Sequence, residues 1–117
     1  VIMPGMKLAM SSLEQQTAKL SAVEILKPNN LVGRSTAEST QIGIYYSQFA
    51  TIKELKTQIS HQFFPNENVI VLGTGGFSHL FQQADIFTAI IPDLVLHGLH
   101  QLIALNTPKK ETQYAYE

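Results

Sequence analysis

The stretch Val69-Ile70-Val71-Leu72-Gly73-Thr74-Gly75-Gly76-Phe77 limits the fold more than any other part of the chain. Four apolar, mostly β-branched residues run straight into glycines, the pattern of a buried strand that ends in a tight turn. Gly75 and Gly76 carry no Cβ, so backbone there can come close to a ligand. In open α/β sheets, ligands gather outside the carboxyl ends of the strands. A helix start after such a turn adds outward N–H groups and a partial positive charge. The same glycines also serve a plain strand-to-helix turn, so the local pattern leaves both uses open.

The rest of the chain alternates helices with short extended pieces. Val1-Ile2-Met3 reads as a strand end stopped by Pro4-Gly5, after which Met6, Leu8, Ala9, Met10 and Leu13 recur at helical spacing toward Ala18 and Leu20. Val23-Glu24-Ile25-Leu26 is a short extended piece before Pro28-Asn29-Asn30. Ser35 stands three residues before Glu38, a capping box that makes Ser35 an N-cap and puts Thr36 in the first helical turn. From residue 37 to about 61 no proline intervenes, and Ile44, Tyr45, Phe49, Ile52, Leu55 and Ile59 keep the 3.6 period of one long helix or two joined near Ala50-Thr51. Gly43, Tyr45, Tyr46 and Phe49 form a face for a neighbouring helix. A short helix is predicted over 77–82 and a second buried strand over 86–91. The final helix is predicted from Leu94 to about Leu105, capped by Pro92-Asp93, with Leu96, Leu99, Leu102 and Ile103 on its buried side. Residues 106–117 are a polar tail.

This order gives an α/β layer fold with an incomplete sheet flanked by helices. So few strands are marginal alone, so further strands or a partner should finish the sheet, and a chain opening in mid-strand reads as part of a longer protein. At 117 residues there is room for one small core. With 44% hydrophobic and 15% charged residues the composition is that of a soluble globular chain, not a disordered one. A net charge of −1 with scattered basic residues leaves no footprint for nucleic acid. Cysteine is absent, which excludes disulfide and thiolate chemistry. No apolar run reaches membrane-spanning length, because Pro92 and Asp93 break the richest one.

Among single residues, His97 and His100 stand three apart on the final helix, but no further ligand has a matching offset. His61 and His79 are isolated and read as surface or core-edge residues. The run from Gly73 to Ser78 mimics a dinucleotide fingerprint but has serine at its third glycine position.

Taken together, Pro4-Gly5, Thr17-Ala18-Lys19-Leu20, Gly33-Arg34-Ser35-Thr36, Gly43-Ile44-Tyr45-Tyr46, Thr74-Gly75-Gly76 and Leu94-Val95-Leu96-His97-Gly98-Leu99 fall in one order over residues 2 to about 105. In this the chain resembles the C-terminal half of the type III pantothenate kinases, also called the Bvg accessory factor family. Ser35 stands where the family often has asparagine, and Ile42 where a small residue often precedes the glycine.

The resemblance implies residues 1–105 as the C-terminal lobe of an actin-like, ribonuclease-H-like ATPase fold. It implies ATP-dependent phosphorylation of pantothenate, the first step of coenzyme A synthesis, by a cytoplasmic homodimer that uses a divalent cation (Mg) and a monovalent one (potassium or ammonium). It assigns Thr36 to pantothenate binding, and Thr74, Gly75 and Gly76 to the nucleotide. The family's phosphate loop, catalytic aspartate and cation ligand match nothing in this chain and are expected upstream of Val1, so no catalytic or metal-binding residue is assigned here. Phosphoryl transfer rests on positioning and charge neutralisation, so the chain is expected to be inactive without the N-terminal half. The alternatives are a non-catalytic regulatory or dimerisation module of accessory-factor type, and an unrelated α/β ligand-binding domain.

Overall fold

A computed structural model describes residues 1–17 and 20–107. The elements run α1 (Met6–Gln16), α2 (Thr36–Phe63), β1 (Leu72–Gly73), a 3₁₀ turn (Ser78–Phe81), β2 (Ala89–Ile90) and α3 (Leu94–Asn106). β1 and β2 pair in parallel, Leu72 opposite Ala89 and Gly73 opposite Ile90. The ladder is extended at both ends, where Thr88 N–H donates to the Val71 carbonyl (2.7 Å) and Ile91 N–H to that of Gly73 (2.8 Å). The expected α/β class is therefore present, with a sheet of two strands among the described residues.

α2 is one unbroken helix. Ser35 is its N-cap, its hydroxyl accepting from Glu38 N–H at 3.2 Å, while the Glu38 carboxylate accepts from Arg34 N–H at 2.6 Å. Both bonds are local, so the capping box is enough to fix the start. α1 has Gly5 as its N-cap and stops at Gln16, short of the expected Ala18 to Leu20. Thr17 turns extended; its hydroxyl donates to the Leu13 carbonyl (2.6 Å) and accepts from Leu20 N–H (3.3 Å), taking up groups that a longer helix would have used. Ala18 and Lys19 of the quoted family motif, and residues 108–117 of the expected tail, lie outside the described residues.

The core is where the two long helices meet the glycine loop. Met6 and Met10 of α1, Ile44 and Tyr45 of α2, Phe81 and Ile86 are buried together. Tyr45 stacks on Phe81 at 5.1 Å and meets Tyr46 edge-on at 5.1 Å. Burial, and then the neighbouring Tyr46, raise the Tyr45 hydroxyl above its ordinary pKa. The expected helix-facing patch thus divides: Tyr45, Tyr46 and Phe49 pack into this core, while Gly43 has open space over it.

Several expectations are corrected. Val1 to Met3 form no strand, and Val1 and Ile2 are almost wholly exposed, because no neighbouring strand offers hydrogen bonds there. Val23 to Leu26 likewise form no strand. The strand expected over Val69 to Leu72 is confined to Leu72–Gly73, and it is buried on one side only: Gly73 is buried, whereas Ile70 is 69% exposed and Leu72 44%. A strand is as buried as the layers laid over it, and none of the described elements covers the side that carries Ile70 and Leu72. The helix expected over 77–82 is a four-residue 3₁₀ turn. The strand expected over 86–91 is paired at Ala89–Ile90. In α3, Leu96, Leu99, Leu102 and Ile103 are exposed rather than buried; of the seven large apolar side chains of the helix Leu94 is half-buried and the other six are between 51 and 79% exposed. Asp93 occupies the N-cap position but makes no capping bond; its carboxylate lies 3.4 Å from His97 Nε2 instead. No helix among the described residues is long and apolar enough to cross a membrane.

Candidate functional site

The glycine turn leaves the carboxyl end of β1 as predicted. Gly73 is buried under Phe87, and a Cβ built there would stand 2.7 Å from the ring, so packing alone demands glycine. Gly75 has φ +88°, a conformation that a side chain strains. Gly76 has neither reason: its φ is not positive, and nothing stands within 4 Å of a built Cβ. Within the described residues no packing or backbone geometry requires it to be glycine.

The turn is held from both sides. Ser78 Oγ donates to the Gly75 carbonyl at 2.7 Å, and Ser78 N–H reaches the same oxygen at 3.2 Å. His79 Nδ1 lies 2.8 Å from the Gly76 carbonyl. Thr74 Oγ1 donates to the Pro92 carbonyl at 3.3 Å, tying the rim of β1 to the start of α3. Sequence reasoning set Ser78 aside as a failed fingerprint position and His79 as isolated; both clasp the turn. Their three-residue offsets from Gly75 and Gly76 were the available signal.

Two cavities flank the seam between α1 and α2, back to back. Thr36 lines an open groove of about 790 Å³ with Pro4, Leu8, Leu13, Thr40 and Gly43. Thr36 is exposed, and its carbonyl accepts from Thr40 Oγ1 at 2.8 Å. Thr74, Gly75 and Gly76 line a second cavity of about 260 Å³, with Gly5, Met6, Gln48, Phe77 and Phe87 among its other walls. Adjacent residues separate the two: Pro4 faces the first and Gly5 the second, Ser47 the first and Gln48 the second. The structure therefore brings the three turn residues together and places Thr36 in a different cavity. From Thr36 to Gln48 is roughly 18 Å along the helix at about 1.5 Å per residue. Gln48 was not among the expected site residues; a glutamine in mid-helix carries no motif.

Among the described residues no three His, Cys, Asp or Glu side chains are grouped to hold a metal ion. His97 is paired with Asp93 (3.4 Å), and His100 joins no ligand cluster with it.

Fold and site define a class first: a small α/β unit with a glycine-rich rim at the carboxyl end of a parallel strand, set against a helical seam. The family model described as type III pantothenate kinase matches residues 1–58. The chain is 42% identical over 106 residues to the type III pantothenate kinase of Legionella pneumophila (strain Corby), covering 91% of this chain and 41% of that relative. It is 42% identical over 105 residues to type III pantothenate kinase 1 of Francisella tularensis subsp. holarctica (strain OSU18), covering 90% of this chain and 41% of that one. Type III pantothenate kinase 1 of Francisella tularensis subsp. tularensis (strain FSC 198) is 39% identical over 108 residues, covering 92% and 41%. The chain belongs to the type III pantothenate kinase family. It spans about two fifths of the length of these curated relatives.

Proposed function

We propose that this chain is the C-terminal lobe of an ATP-dependent pantothenate kinase with an actin-like fold, which converts pantothenate to 4′-phosphopantothenate at the start of coenzyme A synthesis. The observation that carries the reading is the pairing of 42% identity across 91% of this chain with 41% coverage of the relative. A two-stranded sheet with an uncovered face, beside a helix whose apolar side chains face solvent, supports a larger protein around it. In this reading Thr36 binds pantothenate from the α1–α2 groove. A hydroxyl in a first helical turn can both donate and accept toward a polar substrate. Thr74, Gly75 and Gly76 receive the nucleotide, and open space over both glycines supports close approach of a ligand there. The residues fit a nucleotide in that respect, and ATP would supply the phosphoryl group.

The divalent and monovalent cations belong, in the same reading, to the part of the protein outside this chain. The catalytic base and phosphate loop belong there too, so the isolated chain is inactive. The whole protein works as a cytoplasmic homodimer. The test is a coupled ADP-release assay with pantothenate. The full-length protein should turn over and this chain alone should not; turnover by the chain alone would overturn the division of labour.

A further inference from the structure

The small cavity beside the glycine turn has a composition of its own. Phe77, Phe81 and Phe87 supply aromatic surface, Met6 and Ile52 supply aliphatic surface, and α2 contributes one primary amide, Gln48. At about 260 Å³ it lies below the roughly 300–1,000 Å³ typical of whole-ligand pockets, so it suits one ring system rather than an entire nucleotide. Gln48 is half-buried, and the partner of its Nε2 is the Met3 sulfur at 3.9 Å, a weak acceptor. Neither its carbonyl oxygen nor its second N–H meets a strong partner among the described residues. The open space over Gly75 and Gly76 leads into the same cavity.

Resting on the reading that the glycine turn receives a nucleotide, we infer that Gln48 determines base specificity: its amide reads the amino-bearing edge of a purine lodged in the phenylalanine-lined cavity. An amide offers an acceptor and a donor side by side. That pair matches the exocyclic amine and adjacent ring nitrogen of adenine, which glutamine engages in two parallel hydrogen bonds. Aromatic and apolar walls then hold the ring by its faces, as in other pockets that accept a single base.

The experiment uses the full-length kinase that carries this chain. KM is compared for ATP and for the analogue with hydrogen in place of the purine 6-amino group. Wild type should favour ATP by about tenfold, one good hydrogen bond, and Gln48→Leu should treat both nucleotides alike with an unchanged KM for pantothenate. Gln48→Glu, which keeps the length but loses the N–H donor, should weaken ATP use as well and serves if the leucine variant does not fold. Gly76→Val, read alongside, should raise KM for both nucleotides equally. If Gly76→Val does so while the Gln48 variants keep the full preference, or if wild type shows no preference, Gln48 is not the reader and the nucleotide turn stands. If Gly76→Val leaves both KM values unchanged, the turn reading fails, and the role of Gln48 fails with it.

Discussion

Gly73 lies directly beneath the ring of Phe87: a Cβ at Gly73 would stand 2.7 Å from Phe87 Cδ2 and 2.9 Å from Cγ. The contact is with the root of the ring rather than with a flexible tip, so the ring or the strand must shift. Phe87 in turn packs edge-on to Phe81 (6.4 Å), which is buried against Tyr45, so a shift is passed into the core. Gly73→Ala should therefore destabilise the chain by about 1–3 kcal/mol, the usual cost of overpacking. Urea unfolding reads this; a change below about 0.5 kcal/mol would show that the ring moves freely.

Gly75 and Gly76 separate stability from binding. Gly75→Ala forces a side chain into φ +88° and should cost roughly 1–2 kcal/mol. Gly76→Ala meets open space at an ordinary φ, and its stability should stay within about 0.5 kcal/mol of wild type. In the full-length kinase the same Gly76→Ala should raise KM for ATP, since its methyl group occupies the approach to the turn. Equal unfolding midpoints for the two variants would contradict the geometry.

The start of α2 combines a cap with a steric lock. Ser35→Ala removes the acceptor for Glu38 N–H and should cost about 1 kcal/mol. Gly33→Ala is expected to be worse, because a Cβ there would meet Ser39 backbone N at 2.6 Å and Cα at 2.9 Å, atoms that cannot swing aside without moving the helix. Thermal unfolding of the two variants should give the lower midpoint to Gly33→Ala. The reverse order would mean that the loop, not the helix, yields.

What could be read from residues alone, and what could not, follows from the range of the interactions. Ser35, Glu38 and the proline-free run after them specify α2 through contacts within four positions, and the helix formed as a single piece from that cap. Gly73 to Gly76 announced a strand meeting a turn, and that is where β1 ends. The extent and burial of the strands depended instead on neighbours: Val1-Ile2-Met3 found no strand to pair with among the described residues, and of Val69-Ile70-Val71 only Val71 bonds to the neighbouring strand, through Thr88. In α3 the spacing of Leu96, Leu99, Leu102 and Ile103 shows which side the helix would bury, yet spacing cannot supply the surface that does it. Thr74 reaching the Pro92 carbonyl, and Gln48 sharing a cavity with Gly75, are meetings across long stretches of sequence without any motif.

Thr36 offers a test of the substrate assignment that leaves the helix cap alone. Its carbonyl accepts from Thr40 Oγ1, a bond that survives any change of side chain. Thr36→Val keeps the shape and removes the hydroxyl. In the full-length kinase KM for pantothenate should rise by about tenfold, the loss of one hydrogen bond, with the ATP response and unfolding midpoint unchanged. Unchanged pantothenate kinetics would assign the substrate to another part of the groove.

Tyr45 predicts how the fold responds to alkali. Its hydroxyl donates to the Leu80 carbonyl across 3.4 Å, a long bond, while its ring stacks on Phe81. Burial and then the nearby Tyr46 raise its pKa above the ordinary value near 10, so the folded chain holds this proton more tightly than the unfolded one. Between the two pKa values the native state carries more protons, and stability falls as pH rises. The contribution is therefore complete below about pH 10 and is lost above it, as pH passes through the folded pKa. Tyr45→Phe keeps the stack and removes the titration. It should cost under about 1 kcal/mol at neutral pH and flatten the decline of the urea midpoint above pH 10. A variant whose alkaline decline matches wild type would show that another group controls unfolding there.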